Sequence, residues 1–136
     1  MSRIGKYKLS FRIFHPSMRA EDIAEKIGLK SKHLHSLGAA RQTPKGTKLD
    51  GVYSQTYVSF DLEEYEGEIL EDALRRALEE KLASKMPYLS ELVATGGVLE
   101  FFVGIFLEGN EGLQIDAELI DLFASAKIGL SLDIYP

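Results

Sequence analysis

Three histidines are the residues of this chain whose spacing is most directly tied to chemistry. His33 and His35 are two residues apart, so an extended backbone directs both imidazoles to one side, as a metal site or an acid–base pair requires. The chain has no cysteine, and no third ligand follows a recognised spacing. His15 has no serine, threonine or carboxylate tied to it by a known catalytic motif. We therefore expect no catalytic residue, no metal and no cofactor.

An acidic run between positions 61 and 72 contains seven Asp or Glu residues and no Lys or Arg. Its spacing lacks the alternation of a calcium loop. Acids near the start of a helix interact favourably with its dipole, so the run is interpreted as a helix N-terminus and not as an ion site. The segment 29–51 contains several Lys and Arg but lacks the strand, loop and helix pattern of a phosphate loop. No nucleotide site is expected there.

The composition is that of an ordinary globular protein, with 45 % hydrophobic residues and a net charge of −5. A length of 136 residues predicts a single domain over residues 1–136. The first fifty residues are basic and the remainder is acidic, but the total charge makes nucleic acid an unfavourable partner. The chain begins without an apolar signal segment and has no apolar stretch of about 18 residues. We expect a cytoplasmic protein with no membrane partner.

Alternating and continuous apolar patterns predict four strands. Residues 98–107 are the most apolar and lie between glycine-rich turns, which predicts an inner strand with Phe101 among the most buried residues. Residues 7–14 alternate with the odd positions apolar, and residues 52–62 alternate with the even positions facing the core. Residues 130–134 alternate as the last strand.

Helical periodicity fills the segments between these strands. Residues 20–27 are predicted to form a helix that Gly28 ends and Ser17 caps. Residues 69–82 carry a broad leucine-rich stripe, and Pro87 predicts a break near position 85 before a second helix.

A further helix is predicted to begin at Asp116 and end before Gly129. The segment 29–51 shows no sustained period and is predicted to be a long, mobile loop. Together these elements predict an α+β fold with a mainly antiparallel sheet of four or five strands and helices packed on one face.

The order of these elements resembles a known family. The stretch Ile27-Gly28-Leu29, the turn Pro44-Lys45-Gly46 before Val52-Tyr53-Ser54, and the closing Leu130-Ser131-Leu132-Asp133-Ile134-Tyr135 resemble domain of unknown function 4279. The resemblance covers nearly the whole chain, although Tyr53 or Tyr57 replaces the tryptophan expected in the second strand. It implies a small bacterial α+β protein without an established activity, and it carries no catalytic residue over.

The sheet face turned away from the helices is predicted to mix aromatic and charged side chains, as recognition surfaces do. We expect a non-catalytic cytoplasmic protein-binding module, such as an immunity-like or antitoxin-like protein that occludes a basic partner protein. Its predicted binding residues are Arg12, Tyr53, Tyr57, Phe102 and Phe106 on the face, with Glu63 and Glu64 in an acidic rim beside it.

Two alternatives stay open at this point. In one, the aromatic face is buried in a homodimer. In the other, the chain is a small-ligand-binding protein or an enzyme, with a pocket under the segment 29–51 that uses His33, His35 or Arg41.

Overall fold

A computed structural model describes the backbone of residues 4–66 and 69–136, and the side chains of all of these except residues 63–66. Between its second and third helices the chain passes through a π-helical turn and a short 3-10 turn. In chain order the elements are β1 (Lys6–His15), α1 (Ala20–Ile27), β2 (Ser31–His35), β3 (Ala40–Gln42), β4 (Lys48–Val52), β5 (Thr56–Glu66), α2 (Leu70–Arg76), α3 (Met86–Ala94), β6 (Val98–Phe106), α4 (Ala117–Ala126) and β7 (Ile128–Tyr135).

The main sheet has five strands in the order β2-β5-β1-β6-β7, with β1 at its centre. The pairs β2–β5, β5–β1 and β1–β6 are antiparallel, and β6–β7 is parallel. The strands β3 and β4 form a separate two-stranded sheet. The predicted α+β class and the mainly antiparallel sheet are therefore confirmed.

The core lies between one face of this sheet and the helices. The odd positions of β1 and β6 are buried, as the alternation predicts, and Phe101 is fully buried on an inner strand. The ring of Phe11 on β1 lies 6.3 Å from that of Phe60 and 5.6 Å from that of Phe101, measured between centroids. Phe101 in turn contacts Phe123 of α4 edge-on at 5.4 Å. This row of rings joins three strands to the helix layer.

The first helix ends as predicted but begins differently. Gly28 adopts the left-handed conformation that follows many helices, with φ of 75°. The expected cap at Ser17 is wrong, because α1 begins at Ala20 and the residue before it makes no side-chain cap. The backbone N–H of Ala20 instead donates to Oγ of Ser36, at 2.9 Å. A serine distant in sequence thus satisfies the helix terminus, and local pattern alone does not reveal it.

The leucine-rich helical stretch is divided more than the sequence indicates. The helix α2 stops at Arg76, where a π-helical turn (Ala77–Lys81) and a 3-10 turn (Ala83–Lys85) follow. The predicted break near position 85 is present, and Pro87 lies in the first turn of α3, where its missing N–H costs no helical hydrogen bond.

The prediction of an irregular loop over residues 29–51 is wrong. This segment contains β2, β3 and β4. The strand β2 is an edge strand of the main sheet whose residues are exposed or half-buried, so no buried period marks it in the sequence. The hairpin of β3 and β4 consists of exposed residues only. Strands that bury no side chain leave no hydrophobic alternation to recognise.

The pattern predicted for residues 52–62 holds only in its second part. Val58 and Phe60 are buried, as expected for the even positions of β5. Val52 belongs to β4, and its side chain is 59 % exposed. The alternation in the sequence crosses the turn between β4 and β5, so it does not show where the second strand begins.

The burial of Phe101 leads to a direct test of the core. Phe101→Ala is expected to lower the free energy of unfolding by about 3–5 kcal/mol, because it removes a ring packed between Phe11 and Phe123. Urea denaturation measures this change. Val98→Ala on the same strand is the matched control, since Val98 is 57 % exposed and is expected to change stability by no more than about 0.5 kcal/mol. Equal midpoints for the two variants would contradict the placement of β6.

Candidate functional site

The face of the sheet opposite the helices, called the open face below, carries the side chains that alternate with the core. Strand register fixes which of them are neighbours. Arg12 at the centre of β1 pairs with Ser59 of β5 on one side and with Glu100 of β6 on the other, while His33 lies opposite Ser59. The remaining open-face residues in register with these are Lys8, Ser10, Phe14, His35, Tyr57, Asp61, Phe102, Gly104, Phe106, Ser131, Asp133 and Tyr135.

Arg12 is held rigidly in the middle of this face. Its Nε donates to Oε1 of Glu100 at 2.7 Å, and a second guanidinium N–H donates to the same oxygen. The guanidinium carbon lies 4.2 Å from the ring centroid of Phe102, in cation–π geometry. Both charged side chains are about one quarter exposed, so the pair is accessible to a partner and partly shielded from water. Arg12 therefore presents a fixed, planar donor group.

An aromatic cluster lies at the β2 end of the open face. His35 stacks on Tyr53 with 3.5 Å between ring centroids and an angle of 8° between the planes. Tyr57 lies between His35, at 5.5 Å, and Phe14, at 5.0 Å. Burial in this cluster lowers the pKa of His35, which favours the neutral imidazole. Tyr53 itself lies in the turn between β4 and β5 and reaches the face only through this stack.

A second aromatic pair lies at the opposite corner. Phe106 and Tyr135 stack at 5.2 Å, with an angle of 11° between the planes. The hydroxyl of Tyr135 donates to Oδ2 of Asp133, and this hydrogen bond raises the pKa of the phenol. Gly104 lies beneath these rings, because a Cβ built at its position lies within 4 Å of both. The two rings therefore lie over the backbone of β6 at van der Waals distance.

Between the two aromatic groups the open face forms a cleft of about 260 Å³. Its floor includes Ser59, whose buried Oγ has no hydrogen-bond partner among the described residues. Lys32 and Asp61 form an ion pair at 3.4 Å on one side of the cleft, and Arg12 lies on the other. Tyr57 and Phe102 contribute aromatic walls. Polar groups on the floor with rings beside them make this cleft the best-defined concavity of the open face.

An adjoining cleft of about 480 Å³ lies under the segment 29–51. His33, His35 and Gln42 line it together with Tyr53, whose hydroxyl donates to the backbone carbonyl of Gln42. Arg41 does not line this cleft, and its guanidinium binds the backbone carbonyl of Asp50. The pocket expected under this segment therefore contains both histidines but not the arginine.

The structure brings most of the predicted binding residues onto one surface. Arg12, Tyr57, Phe102 and Phe106 share the open face, and Tyr53 covers its edge. The backbone of Glu64 pairs with Lys8, and that of Glu63 pairs with Leu9. The side chains of both glutamates lie outside the described residues.

The histidines of β2 are the part of this face that sequence reasoning placed incorrectly. Their two-residue spacing indicated a shared side, and the structure gives them one, opposite Tyr57 and Ser59. The prediction of a loop over residues 29–51 does not place them on a strand, whereas both belong to β2. Within the described residues, no group of three or more His, Asp or Glu side chains could hold a metal ion.

The third histidine has a structural role. His15 is buried, and its Nδ1 accepts hydrogen bonds from the backbone N–H groups of Ser17 and Met18, at 3.1 and 3.0 Å. These two bonds require an unprotonated Nδ1, so Nε2 carries the proton and donates to Oγ1 of Thr95, at 2.8 Å. Burial lowers the pKa of His15 in agreement with this neutral form. The ring of His15 therefore links the turn before α1 to Thr95 at the end of α3.

The fold and the face together define an α+β protein with a rigid, aromatic and charged sheet surface and no recognisable catalytic set among the described side chains. The chain belongs to the family described as a domain of unknown function (DUF4279), whose model matches residues 5–136. No curated protein and no solved structure matches the chain. No helix within residues 4–66 and 69–136 is long and apolar enough to span a membrane.

The hydrogen bonds of His15 predict a pH dependence of stability. Because its pKa is lowered in the folded state, the contribution of neutral His15 is fully present above the unfolded value of 6.5 and is lost as the pH falls below it. His15→Asn keeps an acceptor at the Nδ1 position and removes the titration. At pH 8 we expect the free energy of unfolding of this variant to be lower by about 1–3 kcal/mol, because the variant lacks the hydrogen bond to Thr95.

Urea unfolding of both proteins between pH 8 and pH 5.5 measures the effect. The wild-type protein should lose more stability over this range than His15→Asn does. Burial also lowers the pKa of His35, so the variant is expected to keep a smaller dependence of the same sign. Identical pH profiles for wild type and variant would show that His15 does not stay neutral in the fold.

Proposed function

We propose that this chain is a non-catalytic, cytoplasmic protein-binding module, of the immunity-like or antitoxin-like kind, that occludes a partner protein with its open face. The observation that carries the proposal is the rigid placement of Arg12 against Glu100 and Phe102 in the middle of an aromatic surface. Tyr, Trp and Arg are enriched among the few residues that dominate the binding energy of protein interfaces. Their side chains are already ordered here, so binding costs less conformational entropy.

The dimensions of the open face suit such an interface. Its five strands have 5, 11, 10, 9 and 8 residues in sheet order, about 16–36 Å each, and lie about 4.8 Å apart, which gives an outline of roughly 700 Å². A standard interface buries about 800 Å² on each partner. The flat outline of the open face is therefore close to the area that one partner contributes to a standard complex.

The charge of the chain supports a basic partner. The net charge is −5, and the acidic run begins at Asp61 and follows the backbone of β5 to its end at the margin of the open face. The backbone register places Glu64 opposite Lys8, beside the cleft. A basic partner would be attracted by this margin and held by the central aromatic residues, since long-range charge acts on association and buried anchors act on dissociation.

Two substitutions separate these contributions. After the partner is identified by capture from the native host, surface plasmon resonance gives both rate constants. Tyr57→Ala should raise the dissociation rate about tenfold or more, because it removes a central ring worth over 1.4 kcal/mol. Glu64→Lys should slow association, and the effect should shrink at high salt. Glu79→Lys is the matched control, since it makes the same charge change at an exposed position of the helix layer.

The outcome that contradicts this proposal is specific. If Tyr57→Ala and Glu64→Lys both leave the two rate constants unchanged, the interface does not include the open face. If sedimentation instead shows a dimer that Tyr57→Ala dissociates, the face is buried against a second copy and is not available to another protein.

A second candidate function is favoured by the two clefts. The buried Oγ of Ser59, which has no hydrogen-bond partner among the described side chains, and the neutral His35 supply polar groups beside aromatic rings, the arrangement of many small-ligand sites. Thermal-shift screening against a metabolite collection tests this function. A stabilising compound should lose its effect in His35→Ala and keep it in Arg41→Ala, because Arg41 lies outside both clefts. If both variants lose the stabilisation equally, the compound binds outside the two clefts.

A further inference from the structure

The edge strand β7 has few of the features that usually keep a sheet edge from pairing, namely Asp133 and the Pro136 that follows its last residue. Its register with β6 runs from Ile128 to Tyr135 without a bulge, it contains no proline, and Asp133 is its one charged residue. The opposite edge, β2, has a register shift between Ser31 and His33 and carries Lys32. Bulges and lysines are common protections of exposed edges. The two edges of this sheet therefore differ, and β7 is the one suited to pairing.

The side chains of β7 that face the helix side are also unusually exposed. Leu132 is in register with the buried Val103, and Ile134 with the buried Ile105, so all four point to the core face of the sheet. The side chain of Leu132 is nevertheless 40 % exposed and that of Ile134 is 55 % exposed. The helix layer does not cover this end of the core. Apolar side chains in line with a hydrophobic core gain free energy when another element covers them.

The backbone of β7 shows which residues are directed outward. The carbonyl of Tyr135 accepts a hydrogen bond from the N–H of Leu107, so the odd positions of β7 are directed toward β6. In a parallel pair the N–H and C=O groups of alternate residues point to opposite sides of the strand. The even positions Ile128, Leu130, Leu132 and Ile134 therefore direct their backbone groups to the free edge.

We propose that a second copy of this chain pairs with β7 in antiparallel orientation, with the two-fold axis at Ser131, and extends the sheet across the dimer. This register places Leu130 opposite the partner's Leu132 and Ile128 opposite the partner's Ile134. It is the symmetric arrangement in which all four outward-directed residues form hydrogen-bonded pairs, each exchanging two N–H···O bonds. Moving the axis by one residue in either direction leaves one of these residues unpaired within the strand.

The charges of the strand favour the same arrangement. Lys127 is exposed and directly precedes the strand, whereas Asp133 lies near its other end. Antiparallel pairing about Ser131 sets Asp133 opposite the partner's Gly129 and diagonal to the partner's Lys127, within reach of a long side chain. The two-fold axis repeats this contact at both ends. A parallel pairing would instead set like charges beside each other.

This interface is separate from the proposed function, because it uses the edge of the sheet and not the open face. A second copy is also the occupant that the strand itself specifies, since its hydrogen-bonding positions, apolar side chains and charges are complementary to their own two-fold image. A strand from a different protein would need only matching hydrogen-bonding positions and apolar side chains, without the complementary charges.

Sedimentation velocity over a range of micromolar concentrations tests the proposal. The wild-type protein should approach twice the 15.2 kDa chain mass as its concentration rises. Leu132→Lys should weaken the dimer at least tenfold, because it sets a charge among apolar side chains at the axis. Leu49→Lys is the matched control, since Leu49 is 44 % exposed on β4, which belongs to the separate two-stranded sheet. Circular dichroism establishes that each variant is folded.

Amide hydrogen exchange of the wild-type protein provides a test that requires no variant. Exchange at Leu130, Leu132 and Ile134 should slow as the protein concentration rises, because these N–H groups become bonded across the interface. A monomer at all concentrations would overturn the proposal, and so would a dimer that Leu132→Lys leaves intact. Protection of these amides only when another protein is added would assign the edge to that protein and would equally overturn pairing with a second copy.

Discussion

The register that aligns Phe60, Phe11 and Phe101 across three strands is the constraint on which the rest of this structure depends. These rings are fully buried, and Phe101 continues the row to Phe123 of the helix layer. Because side chains alternate along a strand, a slip of one residue would move the whole apolar set of a strand to the wrong face. The core therefore permits a single alignment of β5, β1 and β6.

The same alignment assembles the open face. Once Phe11 is opposite Phe101, its neighbour Arg12 must be opposite Glu100, and Ser59 must be opposite Arg12. The fixed guanidinium is thus a consequence of core packing and not of local sequence. Partial burial strengthens its interaction with Glu100, and the ring of Phe102 limits its rotamers. The rigid placement of Arg12 on the open face therefore follows from apolar packing on the core face of the sheet.

The sequence predicts those parts of the fold that bury one regular face. The alternation in β1, the apolar run of β6 and the stop at Gly28 are all visible in the sequence, and they locate Arg12, Tyr57, Phe102 and Phe106 on one surface. The strands β2, β3 and β4 were missed because they bury no side chain, and with them the place of His35 in the aromatic cluster. The cap from Ser36 depends on long-range contact, which periodicity does not show.

Dimer formation through β7 and partner binding through the open face could occur in the same molecule. Pairing through β7 would extend the sheet in its own plane and leave the open faces of both copies uncovered. The stacked Phe106 and Tyr135 of each copy would lie four residues, about 13 Å, from the axis along the strand, so the two aromatic pairs would lie at opposite ends of the shared edge. A partner protein with two suitable sites would meet both Arg12 groups at a fixed separation. The second contact of such a partner would be effectively intramolecular, which raises avidity without any new side-chain contact.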